Sequence, residues 1–243
     1  MIGKICYTTS GDKRRQRKFG FMRKTRRILV MLMVFATLVS SCSCSLFKKK
    51  AKLKVGDELK FGTYNGDPIE WQVIEVNDEG EALIISKYAL DMREYSKEHT
   101  PVTWAESDTR GWLNGEFYDT SFTDKEKKEI VVSHLTTAAN RDFDTEGGED
   151  TDDKIFLLSA EESEKYFPTN EDRLCYPTEH CIKSGVWVSD YAGFEGTCCW
   201  WLRTTGKTRY LTAFVYVAGN VFFEGARIFS HYLGIRPAMR IKA

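Results

Sequence analysis

Two apolar runs late in the chain each carry a single arginine: Trp-Trp-Leu-Arg-Thr-Thr-Gly at 200–206 and Gly-Ile-Arg-Pro-Ala at 234–238. Hairpin material separates them, so we predict that they are neighbouring strands at the centre of the fold. Side chains alternate between the two faces of a strand, which puts Trp200 and Leu202 on one face and Trp201 and Arg203 on the other. At least one of the two tryptophans should therefore be deeply buried.

The remainder of 55–243 alternates strand and short-helix patterns. Strand-like alternation, separated by turn signals, marks three early segments at 55–63, 68–76 and 82–86, which predicts a meander. Capping boxes that begin at Thr123 and Ser159 predict two short helices. Because the composition does not change abruptly within 55–243, the sequence predicts one α+β domain.

The charge of the chain is strongly asymmetric. Residues 1–50 hold 13 of the 35 basic residues and one acid, whereas 51–243 hold the other 22 basic and 34 acidic residues, a net charge of −12. Phosphate binding needs a clustered positive surface, so an acidic domain argues against nucleic acid as a partner.

The first 41 residues have the pattern of an export signal. A basic segment at 13–27 precedes a twelve-residue apolar run at 28–39, which spans about 18 Å as a helix, short of the roughly 30 Å hydrocarbon core of a bilayer. A cleaved signal peptide is therefore favoured over a permanent transmembrane helix. Met22 begins a shorter and more ordinary basic segment and is an alternative start of the chain.

The signal ends in Val39-Ser40-Ser41-Cys42, which resembles the bacterial lipobox. That resemblance implies cleavage before Cys42 and attachment of lipid to its thiol. We expect residues 42–54 to form a lipid anchor and polar tether that holds the domain at the extracytoplasmic face of the cell membrane. The alternative is an ordinary secretory leader that happens to end in Ser-Cys-Ser-Cys.

Four cysteines lie in the domain, at Cys175, Cys181, Cys198 and Cys199. An exported protein meets conditions that permit disulfides, and either of the first two could bridge to the other or to one of the adjacent pair. Buried free thiols are the alternative. The spacing lacks Cys-x-x-Cys and His-x-His pairs, so we expect no metal site among them.

Many motifs of 55–243, in order, are similar to the bacterial family called domain of unknown function 6273. They include FGTY, PIEWQVIEV, VTWAESDTRGWLNGEFY, KIFLLSAEESEKYF, CWWLRTTG and GIRPAMRI. The Trp-Trp-Leu-Arg and Gly-Ile-Arg-Pro-Ala segments also resemble those of C-type-lectin-like folds, the broad group that includes formylglycine-generating enzymes. This resemblance implies a single compact domain of mixed and antiparallel sheets with short helices, and it implies no particular chemistry.

Two groups of side chains are candidates for ligand binding. Arg203 and Arg236 could clamp an anion, but a buried arginine can equally bind loop carbonyls or a carboxylate, and we favour that structural role. A glycine-rich stretch at 184–196 carries aromatic residues that either stack on sugar rings or fold back onto the core, namely Trp187, Tyr191 and Phe194.

The acidic segment 142–153 loosely matches an EF-hand calcium loop. Its position 8 should be apolar and is Glu149, and its position 12 should be Glu and is Asp153. We therefore expect an exposed, mobile, solvated loop without a tight metal site.

The sequence contains no common catalytic motif, neither Gly-x-Ser-x-Gly, His-Glu-x-x-His nor a phosphate-binding loop. We therefore predict a lipid-anchored, non-catalytic domain that binds a glycan, a cell-wall fragment or a protein and needs no cofactor. The alternative is an enzyme on a lectin-like scaffold that uses a domain cysteine or a metal. Cysteines that are all buried would favour the binding domain.

Overall fold

Two five-stranded sheets build the fold in the computed structural model, which describes residues 52–243. These residues form one compact unit from Lys52 to Ala243. The predicted signal peptide, Cys42 and most of the tether lie outside the described residues. Within residues 52–243, no helix is long and apolar enough to cross a membrane.

The first sheet contains the predicted meander. Its strands are β1 (Glu58–Tyr64), β2 (Asp67–Val76), β3 (Glu81–Ser86), β12 (Ala238–Lys242) and β5 (Ile130–Val131), in that spatial order. All neighbours are antiparallel. The inward side chains of β2 and β3 are buried hydrophobics, so this sheet covers one side of the core.

The second sheet contains the two apolar runs. Its strands are β10 (Val221–Arg227), β9 (Leu211–Val215), β8 (Trp200–Thr205), β11 (Gly234–Ile235) and β4 (Asp91–Met92), in that order. The central strand β8 pairs in parallel with β11, with Trp200 opposite Gly234. The prediction that these runs are neighbouring strands is confirmed for Gly234–Ile235, whereas Ala238, at the end of the second run, belongs to the first sheet.

Both faces of β8 are covered, because all six of its residues are buried. Trp200 donates its indole N–H to the carbonyl of Arg173, and Trp201 donates to the carbonyl of Arg93 at 2.9 Å. The C-terminal run then leaves this sheet: after β11 the chain passes through Pro237 and enters the first sheet as β12. A single segment therefore ties the two sheets together.

Short helices connect the strands. They are α1 (Asp108–Trp112), α2 (Tyr118–Ser121), α3 (Asp124–Lys127), α4 (Ala160–Tyr166) and α5 (Glu179–Lys183), together with 3₁₀ turns at Trp104–Glu106 and Glu171–Arg173 and a π-helical turn at Leu113–Phe117. The predicted capping boxes begin α3 and α4, at Thr123 and Ser159. A small two-stranded sheet pairs β6 (Ser133–Leu135) with β7 (Thr151–Asp153). The fold is α+β, as predicted.

The expectation of a wholly exposed acidic segment at 142–153 is wrong at its end. Asp153 is fully buried in β7, where its carboxylate accepts hydrogen bonds from the indole of Trp104 and from Arg110, both at 2.8 Å. A buried carboxylate needs such partners, and here a cation and an indole compensate for its desolvation. Because Asp153 points inward, the EF-hand geometry is not formed.

Candidate ligand-binding surface

A row of five aromatic side chains lies along the loop before β8 and the hairpin β9–β10. We call it the aromatic strip: Trp187, Tyr191, Tyr216, Phe222 and Phe214. Neighbouring rings contact one another, with centroids 5.5 Å apart for the first pair, 5.4 Å for Tyr216 and Phe222, and 5.3 Å for the stacked phenylalanines. The rings thus form two contacting groups, the loop pair Trp187 and Tyr191 and a hairpin group of three. Burial, followed by the neighbouring Tyr191 side chain, raises the pKa of Tyr216, so the two groups lie next to each other.

The strip keeps large apolar area in contact with water. Tyr191 is 50% exposed and Phe222 is 43% exposed, whereas Phe214 beneath them is buried and anchors the row. The hairpin strand β10 is at the edge of its sheet, so no neighbouring strand covers Phe222. Exposed apolar side chains that lie close together are more characteristic of interaction sites than a single exposed ring is.

The loop that carries the strip is fixed to the hairpin before any ligand arrives. Thr197 is fully buried, and its hydroxyl donates to the carbonyl of Val217 at 3.0 Å. Ser189 closes the loop through backbone hydrogen bonds at 2.8 Å to Thr197 and Gly196. A rigid site loses little conformational entropy on binding, so this arrangement suits recognition.

The turn of the hairpin is held from below. Gly219 has φ = 80°, and a Cβ there would lie 1.9 Å from the carbonyl oxygen of Asn170. The buried Arg173 donates to the Gly219 carbonyl at 2.7 Å. Sequence reasoning did not identify Arg173, because nothing local to it indicates a partner 46 residues later in the chain.

The structure brings together two of the three aromatic residues that the loop sequence predicted. Trp187 and Tyr191 belong to the strip. Phe194 is half-buried, and its backbone closes the turn through hydrogen bonds with Tyr191 and Thr197. The three hairpin members were missed, although Phe214 and Tyr216 stand two residues apart, the spacing that places side chains on one face of a strand.

Arg203 lies inside the fold. It is bound in bidentate fashion by the Glu162 carboxylate, 2.9 Å from Nη2 to Oε1, and it also donates to the carbonyls of Leu157 and Thr136. Burial works to raise the pKa of Glu162, but the hydrogen bonds and charge of Arg203 outweigh it and hold that pKa below its usual value. The structural role that we favoured for this arginine is the one that these contacts provide.

Arg236 is also buried and is held mainly by rings. Its guanidinium carbon lies 5.0 Å from the ring centroids of both Phe167 and Trp200, and Nε donates to the carbonyl of Ser86 at 2.9 Å. Burial lowers the pKa of Arg236, an effect that the neighbouring Cys175 and Cys198 thiols partly offset. Neither Arg236 nor Arg203 reaches the surface that carries the aromatic strip.

The site and most of the fold fall within one sequence family. A family model described as a domain of unknown function, DUF6273, matches residues 79–243, which include both apolar runs and the whole strip. The chain belongs to the DUF6273 family. No curated protein and no solved structure matches the chain.

The four cysteines of this DUF6273 domain are buried free thiols, and no disulfide joins them in the structure. The backbone N–H of Cys198 donates to the carbonyl of Cys175 at 2.8 Å, and the Cys175 thiol donates to the carbonyl of Tyr176 at 3.7 Å. Burial raises the pKa of Cys199 to about 12, and burial together with Asp91 also raises the pKa of Cys181. Cys181 and Cys199 in that state are poor nucleophiles, because only the thiolate reacts. Burial works to raise the pKa of Cys175 as well, but its neighbours, Cys198 and Arg236 among them, outweigh burial and lower that pKa.

The domain does not assemble a metal centre from its described residues: among residues 52–243, no group of three or more His, Cys, Asp and Glu side chains has metal-binding geometry.

Proposed function

We propose that this DUF6273 domain is a non-catalytic carbohydrate-binding domain, and that the aromatic strip is its binding surface. The observation that carries the proposal is the pair of adjacent ring groups, with Tyr191 and Phe222 exposed, on a loop and a hairpin that are fixed by hydrogen bonds. The ligand class is a glycan or a cell-wall fragment. The experiment below distinguishes such a carbohydrate ligand from a protein ligand.

The chemistry of the strip suits sugars. The face of a tyrosine or tryptophan ring packs against the apolar C–H face of a pyranose and contributes both area and specific geometry. Sugar hydroxyls also need hydrogen-bond acceptors at the edge of such a platform. Asp190 and Glu195, both exposed, flank Tyr191 in the loop and provide carboxylates for that purpose.

The buried thiols support a binding domain over the alternative of an enzyme that uses a cysteine. Catalytic cysteines need access to substrate and a lowered pKa. All four domain cysteines are almost fully buried, so none has that access. The pKa is raised at Cys181, Cys198 and Cys199, and at Cys175, where it is lowered, burial alone opposes catalysis.

We also propose the location and the ancestry of the domain from sequence. The lipobox-like segment at 39–42 supports attachment through Cys42 at the extracytoplasmic face of the membrane, with 42–54 as anchor and tether. The Trp-Trp-Leu-Arg and Gly-Ile-Arg-Pro-Ala segments support a relationship to C-type-lectin-like folds. A domain at that location would have its aromatic strip exposed to cell-wall material.

Binding of the full chain, solubilised in non-ionic detergent, to arrays of glycans and cell-wall fragments tests the proposal. Tyr191→Ala and Phe222→Ala should each weaken binding about tenfold or more, since a ring covered by ligand contributes roughly 1.5–3 kcal/mol. Tyr210→Ala is the matched control: Tyr210 is 47% exposed and lies at the opposite end of β9 from the strip. It should bind like the wild type.

The proposal fails if no carbohydrate binds, or if the two strip variants remain folded and bind as well as Tyr210→Ala does. If the chain binds a protein and no carbohydrate, and the strip variants lose that binding, the aromatic strip remains the binding surface but its ligand is a protein.

A further inference from the structure

A separate cavity of about 190 Å³ opens beside the β1–β2 hairpin, between the segment that follows β3 and helix α5. No member of the aromatic strip lines it. Its wall includes two tyrosines, two buried aliphatic residues, a carboxylate and an imidazole: Tyr64, Tyr88, Ile69, Leu90, Glu70 and His180. The volume equals roughly six water molecules of about 30 Å³ each, which is below the ~300 Å³ of drug-sized pockets. Its occupant is therefore compact.

One wall of the cavity is held in place by a buried carboxylate. Asp91 accepts a hydrogen bond from the Tyr64 hydroxyl at 2.7 Å, and its other oxygen lies 3.4 Å from Nε2 of His180. Arg93, 3.3 Å away, compensates its charge. Burial, followed by the hydrogen bond to Asp91, raises the pKa of Tyr64, so this hydroxyl stays protonated and keeps donating.

Ring contacts fix Tyr64 further. Its ring meets those of Trp112, Phe117 and His180 edge-on, with centroids 5.2 to 6.0 Å apart. The wall is therefore preorganised, and a ligand would not have to order it.

The cavity wall carries two carboxylates, and two lysines outside the lining contact one of them. The lining includes the carboxylates of Asp67 and Glu70. Glu70 is contacted by Lys60 at 3.3 Å and by Lys87 at 3.8 Å, whereas Asp67 has no ion-pair partner within the described part of the chain. Exposed ion pairs such as the one with Lys60 contribute about 0–1 kcal/mol, so an incoming cation can replace Lys60 at little cost. Lys87 lies 5.8 Å from the Tyr88 ring centroid, but its nearer carboxylate is that of Glu58, at 2.8 Å, so it keeps a partner when a ligand cation binds Glu70.

We propose that this cavity binds a small organic ammonium ion. The alkyl part would cover the apolar floor of Ile69 and Leu90, and the charged nitrogen would lie against the tyrosine rings and the carboxylate of Glu70. Aromatic faces attract cations through their quadrupole, and a nearby carboxylate adds direct charge attraction. An uncharged ligand of the same size would gain only the floor contact.

The test is a ligand-observed NMR titration of the solubilised full chain with butylammonium, and with 1-butanol as an uncharged probe of similar shape. We expect saturable binding of butylammonium in roughly the millimolar range, as its few heavy atoms allow, and at least tenfold weaker binding of the alcohol. Glu70→Gln and Tyr88→Ala should each weaken butylammonium binding about fivefold or more. Glu224→Gln is the matched control, because Glu224 is also paired with a lysine at 3.3 Å but lies outside the cavity.

Equal binding of the alcohol and the ammonium ion would overturn the proposal, as would butylammonium binding that Glu70→Gln leaves unchanged while the variant remains folded. Absence of saturable binding up to 100-fold above the expected range, about 0.1 M, would overturn it too. A lysine-containing tripeptide added to the series distinguishes the source of the ammonium group. Tighter binding of the peptide assigns it to a protein side chain, and tighter binding of butylammonium assigns it to a free amine.

Discussion

Removal of the Arg203 guanidinium should destabilise the domain severely. The side chain is 3% exposed, and Arg203→Ala strands the Glu162 carboxylate and two backbone carbonyls that it now satisfies. Removal of one partner of a buried ion pair costs about 3–5 kcal/mol, because the remaining charge keeps its desolvation penalty. The Glu162 side chain is 29% exposed, so this range is the upper limit here. In a domain of this size that corresponds to a fall in Tm of roughly 6–20 °C.

Helix α4 supplies a matched control for this experiment. Two residues beyond Glu162, Glu164 forms an ion pair with Arg141, whose side chain is 50% exposed. Arg141→Ala removes an arginine–carboxylate pair of the same chemistry from the same helix, but at the surface. Arg141→Ala should lower the free energy of unfolding by about 1–2 kcal/mol at most, including the loss of the stacking of Arg141 on Phe223.

The dependence on pH identifies Glu162 as the group responsible. Its pKa is lowered in the folded state, so the pair contributes stability above the unfolded-state pKa of about 4.3, and this contribution is lost as the pH falls through the folded-state pKa. The difference in Tm between wild type and Arg203→Ala should therefore narrow below about pH 4. Differential scanning calorimetry from pH 3 to pH 7 (about one unit below to three above that pKa) measures it. Wild-type stability of Arg203→Ala, combined with loss of a bound anion or sugar, would refute the structural role.

Mass spectrometry of the membrane fraction should find an acylated N-terminal Cys42; export with an unmodified thiol would contradict the lipoprotein assignment. Gly219→Ala should lower stability by more than about 1 kcal/mol in urea denaturation, because its φ is positive and a carbonyl occupies the space of the new Cβ. Gly66 has the same sign of φ but open space around it, so Gly66→Ala should lower the free energy of unfolding less than Gly219→Ala does. Equal losses of stability would mean that the steric contact at Gly219 is irrelevant. Refolding with oxidised glutathione should yield the disulfide Cys175–Cys198 in peptide maps, each glutathione disulfide being reduced to two thiols; a bridge to either other domain cysteine would contradict this pairing.

The central strands could be predicted because their pattern is local and unambiguous. An apolar run with two adjacent tryptophans needs burial on both faces, which an inner strand of a covered sheet provides. β8 and β11 are such inner strands. The division into two sheets was not predictable. It depends on the chain leaving β11 at Arg236 and Pro237 and entering another sheet at Ala238, a change of direction that only the packing of distant segments imposes.

Charged side chains were harder to place than apolar ones. Seven acids in twelve residues indicate a solvated segment, and most of 142–153 is exposed, yet Asp153 is buried because Trp104 and Arg110 meet it from more than 40 residues away. Capping boxes are local, so Ser159 and Glu162 were identified at the start of α4. That the same Glu162 also neutralises Arg203 could not be read from the sequence, since the two are 41 residues apart.

These buried networks bear on where a ligand can bind. Arg203 and Arg236 are the two cations that the sequence suggested as an anion clamp. Arg203 binds the Glu162 carboxylate, and Arg236 binds the Ser86 carbonyl and packs against the Trp200 ring, so both are engaged inside the domain. What remains for recognition lies at the outer strands of the sheets. The aromatic strip includes Phe222 of the edge strand β10. The cavity that we propose binds an ammonium ion is lined by Tyr64 of the edge strand β1 and by residues of the hairpin that follows it. An edge strand pairs with a neighbour on one side only, so contacts made there leave the doubly covered β8 undisturbed. The two proposed binding surfaces are therefore compatible with a stable central strand.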